Sequence, residues 1–339
     1  MNLELVVPAL LAAPDAPPAS APALELLLAR GRRTRSDASS LEHWLCGAFG
    51  LTDAAAQRSP VPAGALTALA LGLDPGPRRW LRADPVHLRA ARDRLILVPN
   101  QALAVTVAEA DALAGTLAPL LTGKFTLYPL NPDQWCLRAE TEDESDAGIA
   151  APIELAGADV DPRLPAMQWH ALLTELQMAL HQHPVNTARE ARGEPAINSL
   201  WLWGAGTLPA AARAPWQSVS AEDPVALGLA RLAGVRHRAP GSGAAGWLER
   251  APEDGRHLVV LDSLRGARAL GDVDAYARRL QGLEGDWFAP LLAALKGGRI
   301  GMVTVDVPEA AVSFETVRGD LRRFWRRRRP LTDYRITLA

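Results

Sequence analysis

Residues able to do chemistry are sparse in this chain and unevenly spread. His181-Gln-His183 sets two imidazoles two residues apart, a spacing that shares one side only in extended backbone, which Pro184 favours. No third His, Asp or Cys stands in the local run, so the pair reads as a helix end whose imidazoles meet the last carbonyls rather than as a metal site. Trp203-Gly-Ala-Gly206 either offers backbone N–H groups to an anion or turns the chain after a buried strand. Arg322-Arg-Phe-Trp-Arg-Arg-Arg-Arg329 gathers six guanidinium groups around two aromatics, which suits phosphate or RNA by charge and stacking. As a helix the same segment would bury Leu321, Phe324 and Trp325 and leave the arginines in water. The mildly acidic chain favours that solvated helix and argues against nucleic acid as a partner.

Several common chemistries are not signalled. Gly123-Lys124-Phe125 lacks the hydroxyl residue that a phosphate-cradling Walker loop carries after its lysine. No G-x-G-x-x-G unit is read between a predicted strand and a predicted helix. Neither a Gly-x-Ser-x-Gly elbow nor a His-Glu-x-x-His helix is present, so a serine hydrolase of the usual type and a zincin are not indicated.

The elements that must position these residues fit a chain of 339 residues, 48% hydrophobic and 22% charged, large enough for two domains or one elaborated domain. Thirty-six basic and 38 acidic residues leave a net charge of −2, so any polyanion binding has to be local. Cys46 and Cys136 are isolated thiols, as expected of a reduced, cytoplasmic protein. The first residues, with Glu4 inside the apolar stretch and no basic start, do not read as a secretory signal. The apolar run 61–73 is too short to span a membrane.

Leu3–Val7 reads as a strand, Leu24–Arg30 as a helix closed by Gly31, and Leu41–Cys46 as a helix behind a serine cap. Residues 60–77, punctuated by Pro and Gly, read as a separator. Strands at 80–88 and 94–98, a capping-box helix at 106–121 and strands at 125–128 and 134–138 then form an α+β unit. Its exit is the acidic run 140–146. Trp169, Leu172, Leu173, Leu176 and Leu180 mark an amphipathic helix, and 197–203 a central strand buried on both faces. Helix 224–232, strand 258–261, helix 273–283 continuing to 287–295, and strand 300–305 give doubly wound order.

One block is specific enough to carry a resemblance: His183-Pro-Val-Asn186, Arg189, Arg192-Gly193, then Ala196-Ile-Asn198-Ser-Leu-Trp-Leu-Trp-Gly204-Ala-Gly206-Thr-Leu-Pro209. It resembles the H-P-V-N-x-x-R and N-x-x-W-x-W-G-x-G-x-x-P stretch of the archaeal-type cofactor-independent phosphoglycerate mutases, in the alkaline phosphatase superfamily. Trp80-Leu-Arg-Ala-Asp-Pro-Val-His-Leu88 with Arg92-Asp93 is similar to a bacterial branch of that group, the RpfE-type regulatory proteins. The resemblance implies an alkaline-phosphatase-like, doubly wound α/β core from residues 1–58 and 167–339, with an inserted α+β domain at 59–166.

It also implies what an active member needs: two divalent ions held by carboxylates and imidazoles, and a Ser or Thr nucleophile. The family's metal-holding Asp after the first strand has no counterpart in Leu3–Leu10, its S-D-x-x-H-L segment is only echoed by Ser39-Ser-Leu-Glu-His43, its D-x-x-x-H becomes Asp262-Ser-Leu-Arg-Gly266, and its T-x-D-H becomes Thr304-Val-Asp306-Val307. The leading expectation is therefore a catalytically degenerate regulatory or binding protein with no metal or other cofactor. Its partner would be a protein or a phosphorylated small molecule, with no membrane and no nucleic acid. The runner-up is an active Mn- or Mg-dependent phosphomutase or phosphatase, with Ser39 or Ser40 as nucleophile and His43, Asp262 and Asp306 as ligands. A third reading is a nucleic-acid-binding regulator acting through the C-terminal arginines. Arg82, Asn186, Arg189 and Asn198 form a retained polar set that either lines a ligand cleft or holds the loop after Pro184 against the strand.

Overall fold

The computed structural model describes residues 1–11, 20–35, 40–51, 61–92, 94–141, 150–156, 167–251 and 254–334. Along the chain come β1 (Asn2–Val6), α1 (Pro22–Arg30), β2 (Arg32–Arg35), α2 (Leu41–Ala48), α3 (Ala63–Ala70), β3 (Trp80–Ala91), β4 (Arg94–Val98), α4 (Val107–Leu121), β5 (Phe125–Asn131) and β6 (Gln134–Ala139). Next are α5 (Met167–His181), α6 (Pro184–Ala191), β7 (Ser199–Gly206), β8 (Ser218–Ser220), α7 (Pro224–Leu232), β9 (Arg236–Arg238), α8 (Ala244–Arg250) and β10 (Arg256–Val260). The chain closes with α9 (Leu264–Ala269), α10 (Val273–Leu283), α11 (Ala289–Gly297), β11 (Met302–Val307) and β12 (Val312–Val317). No helix among the described residues is long and apolar enough to cross a membrane.

Contacts divide the chain into two units, residues 1–57 with 211–339, and residues 58–210. The first unit is built on a seven-stranded sheet in the order β2-β12-β11-β1-β10-β8-β9. Strands β11, β1, β10, β8 and β9 run parallel, and β12 and β2 add an antiparallel edge. The near-continuous apolar runs of β1, β10 and β11 follow from burial on both faces, with Leu3, Leu5, Val259, Val303 and Val305 in one core with Trp247, Phe288 and Phe314. This is the α/β order expected, with helices between successive parallel strands.

The second unit is an antiparallel sheet in the order β4-β3-β6-β5, with β7 also paired to β3. Helices α4 and α5 supply Leu113, Leu117, Leu173, Leu176 and Leu180 to its core, the stripes read from their spacing. Thr106 and Glu109 form the expected capping box, which fixes the start of α4.

Several expectations are corrected. Residues 167–210 pack in the second unit, not in the core, and residues 197–203 are not a central strand of the parallel sheet: β7 is antiparallel to β3, with Asp84 opposite Trp201. Burial on both faces arises there because α5 covers one side and α3 the other. The separator at 60–77 holds α3. Gly64 lets this helix lie on β3, since a Cβ there would stand 2.4 Å from the backbone N of Leu81. Gly204 and Gly206 do not turn the chain after the strand but belong to it, and a Cβ on Gly204 (φ +61°) would meet the Cβ of Ala63 at 2.5 Å. His183 does not meet the last carbonyls of α5: its Nδ1 accepts the Val185 N–H at 3.2 Å, capping α6. The segment 322–329 is no helix. A short 3₁₀ turn ends at Arg322, and Phe324 and Trp325 stand 78% and 66% exposed. Most of the acidic run, residues 142–146, lies outside the described residues.

Candidate functional site

In open parallel sheets, ligand sites lie at the carboxyl ends of the strands, where strand order reverses. Here that point falls at β1, flanked by β10 and β11. Val6 pairs in register with Val260 on one side and with Asp306 on the other, so Asp306 sits at the mouth of the sheet and Asp262 two residues beyond it. Ser220 pairs with Val259, which brings Asp223 to the same end. The carboxylates the sequence offered as surviving ligands, Asp262 and Asp306, therefore stand on one rim of the first unit.

Ser40 and His43 are on α2 of the same unit, while Ser39 lies outside the described residues. Ser40 Oγ accepts the His43 backbone N–H at 3.3 Å and lies 2.9 Å from His43 Nδ1. It is thus committed to capping α2. His43 Nε2 and Asp306 Oδ2 are buried without a hydrogen-bond partner.

The residues that sequence reasoning missed are Glu42, Asp223 and Arg265. Arg265, on α9, donates to both carboxylate oxygens of Glu42 at 2.9 and 3.3 Å, with side-chain exposures of only 12% and 5%. Burial alone would raise the Glu42 pKa, but the guanidinium outweighs it and the net shift is downward. The Arg265 pKa rises in turn, burial being overcome by the charges of Glu42, Asp223 and Glu309. Asp223 accepts the Ala226 N–H at 2.9 Å as the cap of α7, and burial, then Glu42 and Asp262, push its pKa up to about 7. Asp306 is likewise pushed up to about 7, by burial and then by Glu4. Asp262 shifts upward through burial, opposed by Arg265. The signal for Arg265 was in plain sight: Asp262-Ser-Leu-Arg265 carries a cation where a histidine ligand would fall one residue later.

A pair of divalent ions does not fit this donor set. Such ions require ionised carboxylates free to coordinate. Glu42 is held by Arg265, and Asp223 is engaged as the cap of α7. Among the described residues, no three His, Cys, Asp or Glu side chains are placed to share one ion. The cation within this rim is supplied by the chain itself.

The polar set Arg82, Asn186, Arg189 and Asn198 belongs wholly to the second unit, where its hydrogen-bonding groups are used internally. Arg82 donates through Nε and Nη2 to Asp84 at 3.0 and 2.5 Å and lies over the Trp203 ring at 5.4 Å, while Trp203 Nε1 donates to the other Asp84 oxygen at 2.7 Å. Asn186 accepts the Ile197 N–H at 2.7 Å and donates to the carbonyls of Leu180 and Ile197. Arg189 donates to the carbonyls of Pro195 and Leu103 and to Glu109. Asn198 both accepts from and donates to the Leu88 backbone at 2.8 Å. Asn186, Arg189 and Asn198 brace α6 and the loop before β7, while Arg82 ties β3 to Thr67 of α3 and to Trp203 of β7.

A glycine fingerprint also went unread, because β9 has only three residues and no strand pattern. Gly241-Ser-Gly-Ala-Ala-Gly246 stands between β9 and α8. Its Gly243 is extended, and a Cβ there would meet the Asp286 carbonyl oxygen at 2.7 Å, so the glycine serves close packing.

No protein-family model matches the chain. Its sequence is similar to 2,3-bisphosphoglycerate-independent phosphoglycerate mutases: 28% identity over 140 residues with the protein from Methanosarcina acetivorans, covering 38% of this chain and 34% of that protein. A probable enzyme of the same name from Geobacter sulfurreducens is 26% identical over 133 residues, 38% of this chain and 33% of its own. The match thus spans about a third of the length of these relatives, and the relationship is distant. Among solved structures, the PH0037 protein from Pyrococcus horikoshii superposes with a TM-score of 0.54 at 15% identity, covering 93% of this chain and 87% of that one. The chain shares the α/β fold of the PH0037 protein, and over little more than a third of its length it is similar in sequence to phosphoglycerate mutases.

Proposed function

We propose that this chain is a catalytically degenerate member of the phosphoglycerate-mutase-like group, of the RpfE type, that acts by binding rather than by turnover. The observation that supports this most is the Arg265–Glu42 pair at the mouth of the parallel sheet. Phosphoryl transfer in a metal-dependent relative relies on divalent charge to activate a hydroxyl and to stabilise the transferring group. Here a fixed guanidinium takes up part of the acidic rim's charge, and Ser40 is engaged as a helix cap. The Arg265–Glu42 pair ties α9, which follows β10, to α2, and the fold keeps its surface for a protein or a phosphorylated metabolite. A reduced, cytoplasmic setting accords with two buried thiols, Cys46 and Cys136, each pushed up to about 12 by burial.

The test is metal content after equilibration with manganese, together with turnover of phosphoglycerates and an aryl phosphate. The expected result is no stoichiometric metal and no turnover. Bound manganese near two per chain, with turnover abolished by Ser40→Ala, would establish the active phosphomutase or phosphatase instead.

A further inference from the structure

A groove of about 900 Å³ lies beside the edge strand β2 of the first unit, and six of its lining residues are arginines: Arg32, Arg33, Arg323, Arg326, Arg327 and Arg329. No carboxylate lines it. Three of the six are anchored: Arg32 to Glu315 at 3.1 Å, Arg323 to Asp320 at 2.8 Å, and Arg326 to the Gly31 carbonyl at 2.9 Å. Arg33, Arg327 and Arg329 have no ion pair among the described residues, and Arg33 lies over the Phe314 ring at 5.9 Å. The groove thus combines three anchored arginines with three that make no ion pair among the described residues.

Two further features point to what such a wall would meet. Trp325 lines the groove, is 66% exposed and packs edge-on against the still more exposed Phe324, ring centroids 5.3 Å apart. Large aromatics left in water beside arginines present faces on which bases stack. Tyr334 also lines the groove and is 92% buried, and its hydroxyl has no hydrogen-bond partner among the described residues. The expectation against nucleic acid rested on the mildly acidic balance of the chain and on an amphipathic helix with both aromatics turned inward. The structure removes the second premise, and the first leaves binding local to this groove.

We infer that this groove is a binding site for single-stranded nucleic acid, with Arg33, Arg327 and Arg329 meeting phosphates and Trp325 and Phe324 stacking on bases. A single strand suits the groove better than a duplex because stacking needs splayed bases, and a duplex offers mainly phosphates to a wall of this kind. The inference is independent of the sheet-mouth reading and concerns a different surface.

The experiment is fluorescence anisotropy with a labelled 12-nucleotide single strand of RNA, the matching duplex and heparin, all with the full chain near 150 mM salt, where the screening length is about 8 Å. Tryptophan quenching is followed in parallel. The expected result is a Kd at or below about 10 μM for the single strand, with the duplex about tenfold weaker. Trp325→Ala should weaken the single strand roughly tenfold and leave heparin unchanged. A double Arg327→Ser, Arg329→Ser variant should flatten the salt dependence by about 1.4 in log–log slope. These side chains are solvent-facing, so the variants keep the fold, and far-UV circular dichroism verifies it. No binding below about 100 μM, or equal affinity for strand, duplex and heparin with no effect of Trp325→Ala, overturns the inference and leaves a non-specific basic surface.

Discussion

Arg265 and Glu42, 223 positions apart in sequence, meet in a two-bond ion pair at the carboxyl end of the parallel sheet. A pair this enclosed costs more when halved than it contributes whole, because the survivor is a buried, uncompensated charge. Arg265→Ala should destabilise the first unit by about 3–5 kcal/mol in urea unfolding. Replacing both partners, Arg265→Met with Glu42→Leu, should recover most of that loss. A single variant within about 0.5 kcal/mol of the parent would show that the pair is not structurally engaged.

Stability should fall as pH rises from about 5 to 8. Asp223 and Asp306 have folded pKa values near 7, above the ordinary unfolded carboxylate value, so the folded chain binds more protons than the unfolded one in that window. Their contribution is fully present below about pH 4 and is lost as pH passes 7. Glu42 acts with the opposite sign: its lowered pKa gives stability above about pH 4.3 that is lost on further acidification. Thermal melts should peak near pH 5, and Asp306→Asn should raise the melting temperature at pH 8 while changing it little at pH 5.

Arg189→Ala should cost about 3 kcal/mol, since two backbone carbonyls and Glu109 lose their donor in a site where Arg189 is 1% exposed. Chemical unfolding followed by the fluorescence of Trp169 and Trp201 in the second unit would report it. If this arginine instead served only a ligand, its removal would leave unfolding untouched.

Gly64→Ala places a methyl group 2.4 Å from the Leu81 backbone, which has no flexible end to give way. Overpacking of this kind costs about 1–3 kcal/mol. Gly115→Ala, where nothing stands within 4 Å, is the matched control and should be neutral or stabilising.

Legibility in the sequence followed periodicity. The stripes of α4 and α5, the capping box at Thr106 and the apolar runs of β1 and β11 report their own burial, so their elements could be read directly. Strand β7 could be recognised but not placed, because an apolar run buried on both faces looks the same in a parallel core as under two helices. Helix α3 was hidden by the prolines and glycines that let it press against β3, and β8 and β9 are too short to show a period. At the site, Asp262 and Asp306 were found by alignment to a pattern of losses. Arg265 stands in the same segment without a signal of its own, because a residue that replaces a ligand's charge leaves no matching motif.

The interleaving of β1 between β10 and β11 imposes an order of events during synthesis. The first strand made waits with its edges unpaired until residues 256–307 leave the ribosome, whereas every strand of the second unit is complete by residue 206. The second unit can therefore close while the N-terminal segment is still unpaired and open to chaperones or to mispairing with another nascent chain. Pulse proteolysis of ribosome-stalled chains ending near residue 250 should find residues 61–92, 94–141 and 167–206 protected and residues 1–11 and 20–35 cleaved. Protection of both segments at that length would refute this order.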